Sequence, residues 1–298
     1  MSDGRISGLI ERLTGGLIPA VPLPFRGRDL DGSAQHRYAQ WMAGQPVAGV
    51  AVWAHTGRGP HLGPEIRREV LETWREAMGE KVVIAGARDV SMAIEARRGK
   101  ADALLAFPQA HDPVEYHRRL GRELPAIAFY LYEAAGGVAY DDQTLHRILE
   151  LPEVLGVKVA TLDSVMTFQR IAAVFRQHPD KLLITGEDRF LGYSLLLGAR
   201  AALIGMGAAL PDLQADLVRS CLAEDWSRFV SLSELCDRFS QTTFIPPMEG
   251  YIRRMLWAAA AEGAIPPDAC DDPWGPSLPP EEREAVERAV RDARATRA

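Results

Sequence analysis

The sequence predicts an α/β fold, a (β/α)8 barrel with a C-terminal helical extension, and three observations carry that prediction. Short apolar runs recur eight times, amphipathic segments separate them, and no glycine-rich dinucleotide turn follows the first run. Continuous apolar runs mark parallel strands covered on both faces, because neither face meets water. Eight strand-helix units in roughly 200 residues suit a closed barrel better than an open doubly wound sheet, which usually has fewer strands.

The runs fall at 17–21, 47–53, 82–85, 103–107, 126–131, 155–159, 182–184 and 201–205. The segment from Pro64 illustrates what lies between them. Ile66, Val70, Leu71 and Trp74 recur at helical spacing, with Glu65, Arg67, Arg68 and Glu72 on the other side. The first run ends in Pro22-Leu23-Pro24-Phe25. After about Pro211 the alternation gives way to helical patterns, through Trp226, Phe229, Leu232, Leu235 and Phe239 and then over 251–261. Turns are expected at Ile265-Pro266-Pro267 and over 273–280, before a last charged helix over 281–297. The chain thus divides into an N-terminal segment (1–15), a barrel (16–213) and a helical extension (214–298).

Of 298 residues, 47% are hydrophobic and 25% charged, the balance of a soluble globular protein with a sizeable core. A net charge of -6 leaves no basic field for nucleic acid or anionic lipid, so a small molecule is the expected partner. The three cysteines, Cys221, Cys236 and Cys270, are an odd number at wide spacing and suggest reduced thiols rather than a disulfide framework or a zinc cluster. Met1-Ser2-Asp3-Gly4-Arg5 opens no apolar leader, and no stretch approaches the roughly 18 apolar residues of a membrane span. A cytoplasmic location with no membrane partner is therefore expected.

In such a barrel the active site lies at the mouth formed by the C-terminal ends of the strands. Of the four lysines, Lys81, Lys100, Lys158 and Lys181, only Lys158 occupies a strand interior, within Leu155-Gly156-Val157-Lys158-Val159-Ala160-Thr161. Lys81 and Lys181 precede strands at the opposite rim, and Lys100 lies in a polar turn. A buried ammonium is costly unless it is paired or loses its proton. Arginine would meet a purely electrostatic need, whereas an amine of lowered pKa can attack a carbonyl and form an imine. Position alone leaves open a second role, a lysine paired with a carboxylate to close the barrel interior.

The fifth run ends in Phe129-Tyr130-Leu131-Tyr132-Glu133, where a period of two places Tyr130 and Tyr132 on one face. A phenol aimed at the mouth could move protons; a core tyrosine with a satisfied hydroxyl is the other reading. The second run leads into Ala54-His55-Thr56-Gly57-Arg58-Gly59-Pro60-His61-Leu62, whose small residues and threonine can present N–H groups and a hydroxyl to a carboxylate. Taken singly this is also a common turn, and His55 and His61 suit loop positions. No spacing suits a metal ion.

These pieces, in this order, resemble the dihydrodipicolinate synthase and N-acetylneuraminate lyase family over residues 16–213. Ile18-Pro19-Ala20-Val21-Pro22-Leu23-Pro24-Phe25 is similar to the family's opening strand and proline-phenylalanine turn. Ala54-His55-Thr56-Gly57-Arg58 is similar to its G-T-T-G-E loop, and Tyr132-Glu133-Ala134-Ala135 to its Y-N-x-P segment. Lys158 falls on the imine-forming lysine, Thr185-Gly186-Glu187-Asp188 on the S-G-x-D segment, and Gly198-Ala199 and Gly205 fit the eighth repeat. The resemblance implies a TIM-barrel, class I Schiff-base lyase without a cofactor, acting on pyruvate or another 2-oxo acid such as a 2-oxo-3-deoxy sugar acid. It implies Lys158 as nucleophile and Tyr132 as proton relay. Thr56, His55, Gly57 and Arg58 would bind the substrate together with Gly205, and Glu187 or Asp188 would reach its distal part. A homo-oligomer, dimer or tetramer, is also implied, with Trp257, Leu256 and Phe244 facing a neighbour or covering the barrel's flank.

The family pattern is incomplete. The lysine-biosynthetic members carry an arginine shortly after the tyrosine, but Tyr132-Glu133-Ala134-Ala135-Gly136-Gly137-Val138 offers none. They also use a tyrosine pair after the fourth strand, where Phe107-Pro108-Gln109-Ala110-His111 has no tyrosine. Dihydrodipicolinate synthesis is therefore not expected. Arg58 replaces the loop glutamate and His55 a hydroxyl residue. Contact of either with a second anionic group, His55 as a general acid, and Arg58 paired with Glu133 or another loop carboxylate all stay open. So does a non-catalytic barrel that binds a 2-oxo acid as sensor or structural partner. A phosphate-binding barrel is disfavoured, because Gly186-Glu187-Asp188 is acidic where the anion would sit.

Overall fold

The barrel strands are apolar throughout because helices cover one face and the packed interior the other. In the computed structural model every residue of β1 (Leu17–Pro19), β2 (Gly49–Val52), β3 (Val82–Ala87) and β4 (Ala103–Ala106) is buried. The same holds for β5 (Ala126–Leu131), β6 (Val154–Ala160), β7 (Leu182–Thr185) and β8 (Ala201–Ile204). The structure describes residues 3–162 and 164–297; Met1 and Ser2 of the opening segment lie outside them. All pairings among these eight strands are parallel, each strand lies beside its neighbours in sequence, and β8 returns to β1. A bridge between Ala20 and Ala51 closes the ring, with the Val21 N–H donating to the Ala51 carbonyl at 3.1 Å. This is a (β/α)8 TIM barrel.

Helices α1 (Asp3–Leu13), α2 (Gly32–Ala43), α3 (Pro64–Met78), α4 (Val90–Arg98) and α5 (Pro113–Gly121) precede or follow the first strands. They continue as α6 (Asp142–Leu149), α7 (Val165–Phe175), α8 (Leu191–Leu196) and α9 (Pro211–Leu222), and then as α10 (Trp226–Thr243), α11 (Tyr251–Ala261) and α12 (Pro280–Arg297). Local chemistry sets several starts. Asp31, Asp89, Asp112, Asp141, Ser164 and Asp225 each accept an N–H from three residues on, which satisfies a helix donor that has no partner in the helix.

The interior forms two apolar layers. Ile84, Leu105 and Ile127 point into the barrel, where Ile6, Leu9 and Leu13 of α1 join them and plug the end at which the strands begin. Val50, Val83 and Val157 point outward against the helices. Fully burying one such side chain contributes about 1.5–3 kcal/mol. One sequence expectation is corrected here, and one of two open readings is chosen. Arg67 is buried rather than on the open side of α3, because Glu95 takes its guanidinium at 2.8 and 2.9 Å and the Leu62 carbonyl accepts a further bond. Trp257, Leu256 and Phe244 are buried within the chain's own core, so none is a free face.

The helical extension reaches the mouth. Between α10 and α11 the chain runs through residues 244–250, where a short 3₁₀ turn forms only at Met248–Gly250, and the carbonyls before that turn need donors. Arg254, fully buried on α11, supplies them: it donates to the Ile245 carbonyl at 2.7 Å and to Glu282 at 2.7 Å. That turn carries Phe244, Glu249 and Tyr251 over the strand ends.

Candidate active site

Lys158 lies on β6, in register with Phe129 of β5. It is 5% exposed, and its Nζ stands 4.1 Å from the centroid of the Phe129 ring. Among the described residues no carboxylate oxygen comes within 4.0 Å of that nitrogen. Gly186, just after β7, provides clearance, since a Cβ there would sit 2.7 Å from Lys158 Cε. Beside the amine opens a cavity of about 30 Å³, lined by Thr56, Tyr132, Asp188, Gly205, Phe244 and Tyr251 among others. Lys81 and Lys181 instead donate to backbone carbonyls at the opposite rim, to Ala43 and Gln45 and to Leu151 and Val154.

Charge in the cavity follows from burial. Desolvation pushes the Lys158 amine below the ordinary lysine range, and the negative ends of Asp188 and Glu187 only partly restore it. Burial pushes the Asp188 carboxyl up, against the bond it accepts from the Met206 N–H at 2.7 Å. Glu187 is pushed up to about 7 by burial, against the donors that face it. Both of its oxygens serve the loop after β6: Oε1 accepts from the Thr161 N–H at 2.6 Å and hydroxyl at 2.9 Å, and Oε2 from the Leu162 N–H at 3.0 Å. Glu187 therefore lines the cavity while its carboxylate holds backbone.

Tyr130 and Tyr132 do not share a face. Tyr130 packs outward, where Arg170 donates to its hydroxyl at 3.3 Å and Tyr140 meets its ring edge-on. Tyr132 comes after β5 has ended at Leu131, and the 3₁₀ turn at Glu133–Ala135 breaks the alternation. Its hydroxyl donates to Glu249 Oε1 at 3.1 Å, and burial followed by the Glu249 charge raises its pKa above the phenol range.

The loop after β2 divides its residues between two tasks. Thr56 and His55 line the cavity. Thr56 Oγ1 lies 2.9 Å from the Tyr251 hydroxyl, and His55 Nε2 lies 2.9 Å from Glu249 Oε1. Gly57 and Arg58 stand behind them. A Cβ on Gly57 would meet the Val21 carbonyl at 2.9 Å, so that residue is fixed by backbone packing. The buried Arg58 guanidinium is spent on Asp272, at 3.1 Å and 2.6 Å, and on Glu249 at 2.9 Å. Burial would raise the Glu249 pKa, but the His55 hydrogen bond and the His55 and Arg58 charges outweigh it and hold the carboxyl at about 2. Gly205, after β8, faces Tyr251 and Thr56.

Lys158, Tyr132, Thr56, His55, Glu187 and Gly205 thus meet around one cavity, and Gly57 and Arg58 support it from outside. Sequence reasoning missed Glu249, Tyr251 and Asp272, all from the helical extension. Among the described residues no cluster of three His, Cys, Asp or Glu side chains is placed to hold a metal ion, and no helix is long and apolar enough to cross a membrane. The three cysteines are free and buried.

No protein-family model matches the chain. A protein of Nitrobacter hamburgensis named 4-hydroxy-tetrahydrodipicolinate synthase is 27% identical over 235 residues, 74% of this chain and 78% of the relative. Among solved structures, dihydrodipicolinate synthase from Bacteroides thetaiotaomicron superposes with a TM-score of 0.80 at 23% identity, covering 94% of this chain and 98% of its own. N-acetylneuraminate lyase from Mycoplasma synoviae does so with a TM-score of 0.77 at 20% identity, covering 95% and 99%. With the motif order along the strands, these likenesses make the chain similar over most of its length to lyase-type enzymes named for dihydrodipicolinate synthesis, and give it the fold of dihydrodipicolinate synthase and N-acetylneuraminate lyase.

Proposed function

We propose that the chain is a Schiff-base-forming aldolase or dehydratase whose substrate is pyruvate or another 2-oxo acid, such as a 2-oxo-3-deoxy sugar acid, and whose nucleophile is Lys158. One observation carries the reading: a buried amine at the barrel mouth, beside a cavity and with no described carboxylate within 4.0 Å. An ammonium so placed sheds its proton more readily than one in water, and the neutral amine is the form that attacks a ketone.

In the proposed reaction the Lys158 nitrogen bonds to the 2-oxo carbon while the carbonyl π pair moves to oxygen. Tyr132 protonates that oxygen, the nitrogen loses a proton, and departure of water leaves the imine. The protonated imine withdraws electrons from the adjacent carbon, so that carbon can lose an aldehyde, leaving its bonding pair as an enamine, or lose a proton to give an enamine that then expels a hydroxide from the next carbon. Thr56 and the N–H groups of its loop would hold the substrate carboxylate. The cavity is small, about 30 Å³, so the substrate would enter as rim side chains yield.

The synthase activity for which the relatives are named is not assigned to this chain. No arginine lies at 133–138, just after Tyr132, and Asp272 and Glu249 already occupy Arg58, so neither position offers a free guanidinium to a second carboxylate. The homo-oligomer, dimer or tetramer, belongs to the same proposal and is read by light scattering. The chemistry is tested by incubating the protein with 2-oxo acids and 2-oxo-3-deoxy sugar acids, reducing with borohydride and mapping the adduct by mass spectrometry. A reduced adduct on Lys158 is expected. A folded sample left unmodified at Lys158 by every compound would sink the proposal.

A further inference from the structure

We propose that Glu249 joins Tyr132 to His55 in a single proton relay, supplied by the helical extension where the fourth strand lacks a tyrosine pair. The inference rests on the imine reading above. Three observations support it independently of that reading. Glu249 Oε1 is shared, accepting the Tyr132 hydroxyl at 3.1 Å and facing His55 Nε2 at 2.9 Å. Its other oxygen takes Arg58 at 2.9 Å and lies 3.1 Å from the same His55 Nε2, and Arg58 is itself anchored by the buried Asp272 at 2.6 Å, so the carboxylate between phenol and imidazole has a fixed position. Tyr132 and His55 line the cavity that holds Lys158, with their rings edge-on at 6.5 Å between centroids.

In the proposed relay protons run from His55 to Tyr132. When Tyr132 protonates the oxygen of the adduct, it is left as a phenolate beside Glu249 Oε1. A proton on His55 Nε2 then passes to that oxygen and on to the phenolate, which restores the phenol and leaves neutral imidazole. The proton lost by the Lys158 nitrogen, carried through water at the mouth, recharges His55. On loss of water from the carbinolamine the same exchange repeats: the hydroxyl takes a proton and leaves with its bonding pair, the nitrogen gives up its proton, and its lone pair forms the C=N bond. Amine and ketone become imine and water, and the relay ends as it began. A carboxylate shared by a phenol and an imidazole, and held in place by a buried guanidinium, suits this task better than simple packing, which would not require both groups on one carboxylate.

Glu249 acts through Tyr132 and is a positioning and relay residue rather than a group in contact with the ketone. The test is single-turnover imine formation with saturating pyruvate, quenched by borohydride at timed intervals, in the full chain. Glu249→Gln keeps the shape and the Arg58 contact but cannot carry the proton. It is expected to slow adduct formation about 100-fold while the final amount trapped stays at the wild-type level. His55→Gln should slow it similarly, and the double variant should be no slower than the slower single one, because both interrupt one path. A purely structural role would change the amount bound or the urea midpoint and give multiplicative rate losses. Adduct formation at the wild-type rate in Glu249→Gln, or multiplicative losses in the double variant, overturns the relay and leaves the imine reading intact. If Glu249→Gln does not fold, the comparison of His55→Gln with wild type decides, and equal rates overturn it. No adduct in wild type overturns both proposals.

Discussion

The Lys158 nitrogen sits over the face of Phe129, 4.1 Å from the ring centroid, and the two residues are register partners across β5 and β6. The ring face attracts a cation without accepting its proton in a hydrogen bond, so the amine's lone pair is left available once it forms. Such a contact is worth about 0.5–2 kcal/mol. Desolvation of the buried ammonium is larger, which is why the net shift of Lys158 is downward.

That balance predicts the pH profile. In the proposed imine chemistry only the neutral amine attacks, so kcat/KM should rise with pH through the Lys158 pKa of the free enzyme. The rise should be complete below about 10.4, the value of an unperturbed lysine. Phe129→Leu removes an attraction felt only by the cation, and should move the rising limb down by about half a unit. Kinetics with the substrate found by trapping measure both. A rising limb at or above free lysine would remove burial as the source of activation.

The same shift makes a stability prediction of definite sign. Between its lowered folded pKa and its unfolded pKa, Lys158 is protonated only in the unfolded chain, so stability rises with pH across that window. The cost of the buried ammonium is fully present below the folded value. Lys158→Met should therefore abolish turnover yet raise the urea midpoint at neutral pH, with a gain of about 1–3 kcal/mol that shrinks as the pH approaches 10. A lowered midpoint at neutral pH would mean that the amine is paired in the resting protein.

The barrel was legible because its cause is local. A strand buried on both faces must be apolar at every position, and the eight runs say so directly. Lys158 was legible for the converse reason, as one amine in such a run. Thr56 and Tyr132 needed the order of motifs along the chain. Glu249, Tyr251 and Asp272 were not legible: Thr56 and Tyr251 are 195 residues apart, and nothing repeats in the helical extension to announce which residue reaches the mouth. Arg67 shows another limit, since a charge on a helix predicts exposure only until a partner such as Glu95 exists to receive it. Tyr130 shows a third, because alternation predicts faces only while the strand continues.

Gly205 tests how tightly the proposed carboxylate-binding end of the cavity is built. Its backbone is in the right-handed helical region, so alanine carries no backbone strain there. The obstacle is space: the new Cβ would lie 2.9 Å from Tyr251 Cε2 and 3.3 Å from Thr56 Oγ1. Tyr251 cannot slide away freely, because Phe244 stacks on it at 4.8 Å. Gly205→Ala should displace Tyr251 from Thr56, raise KM for the 2-oxo acid more than it lowers kcat, and cost about 1–3 kcal/mol by overpacking. Steady-state kinetics beside urea unfolding separate the effects. An unchanged KM would show that the Thr56 hydroxyl needs no partner to bind substrate.

Asp272 and Arg58 give the strongest stability prediction, and they separate a clamp from a substrate contact. The Asp272 side chain is 1% exposed and takes Arg58 through both oxygens, at 3.1 and 2.6 Å. Removing one member of a buried pair leaves the other charge in a medium that solvates it poorly, which costs about 3–5 kcal/mol. Asp272→Ala should lower the urea midpoint by that order. Its effect on KM should be smaller than that of Thr56→Val, since Asp272 is not among the residues lining the cavity. Arg58→Lys should resemble it, because an ammonium cannot replace the planar fork that meets Asp272 twice and Glu249 once. If Arg58→Lys instead kept the wild-type midpoint and raised KM tenfold or more, Arg58 would be reaching the substrate, and the carboxylates now around it would be placeholders for a substrate anion.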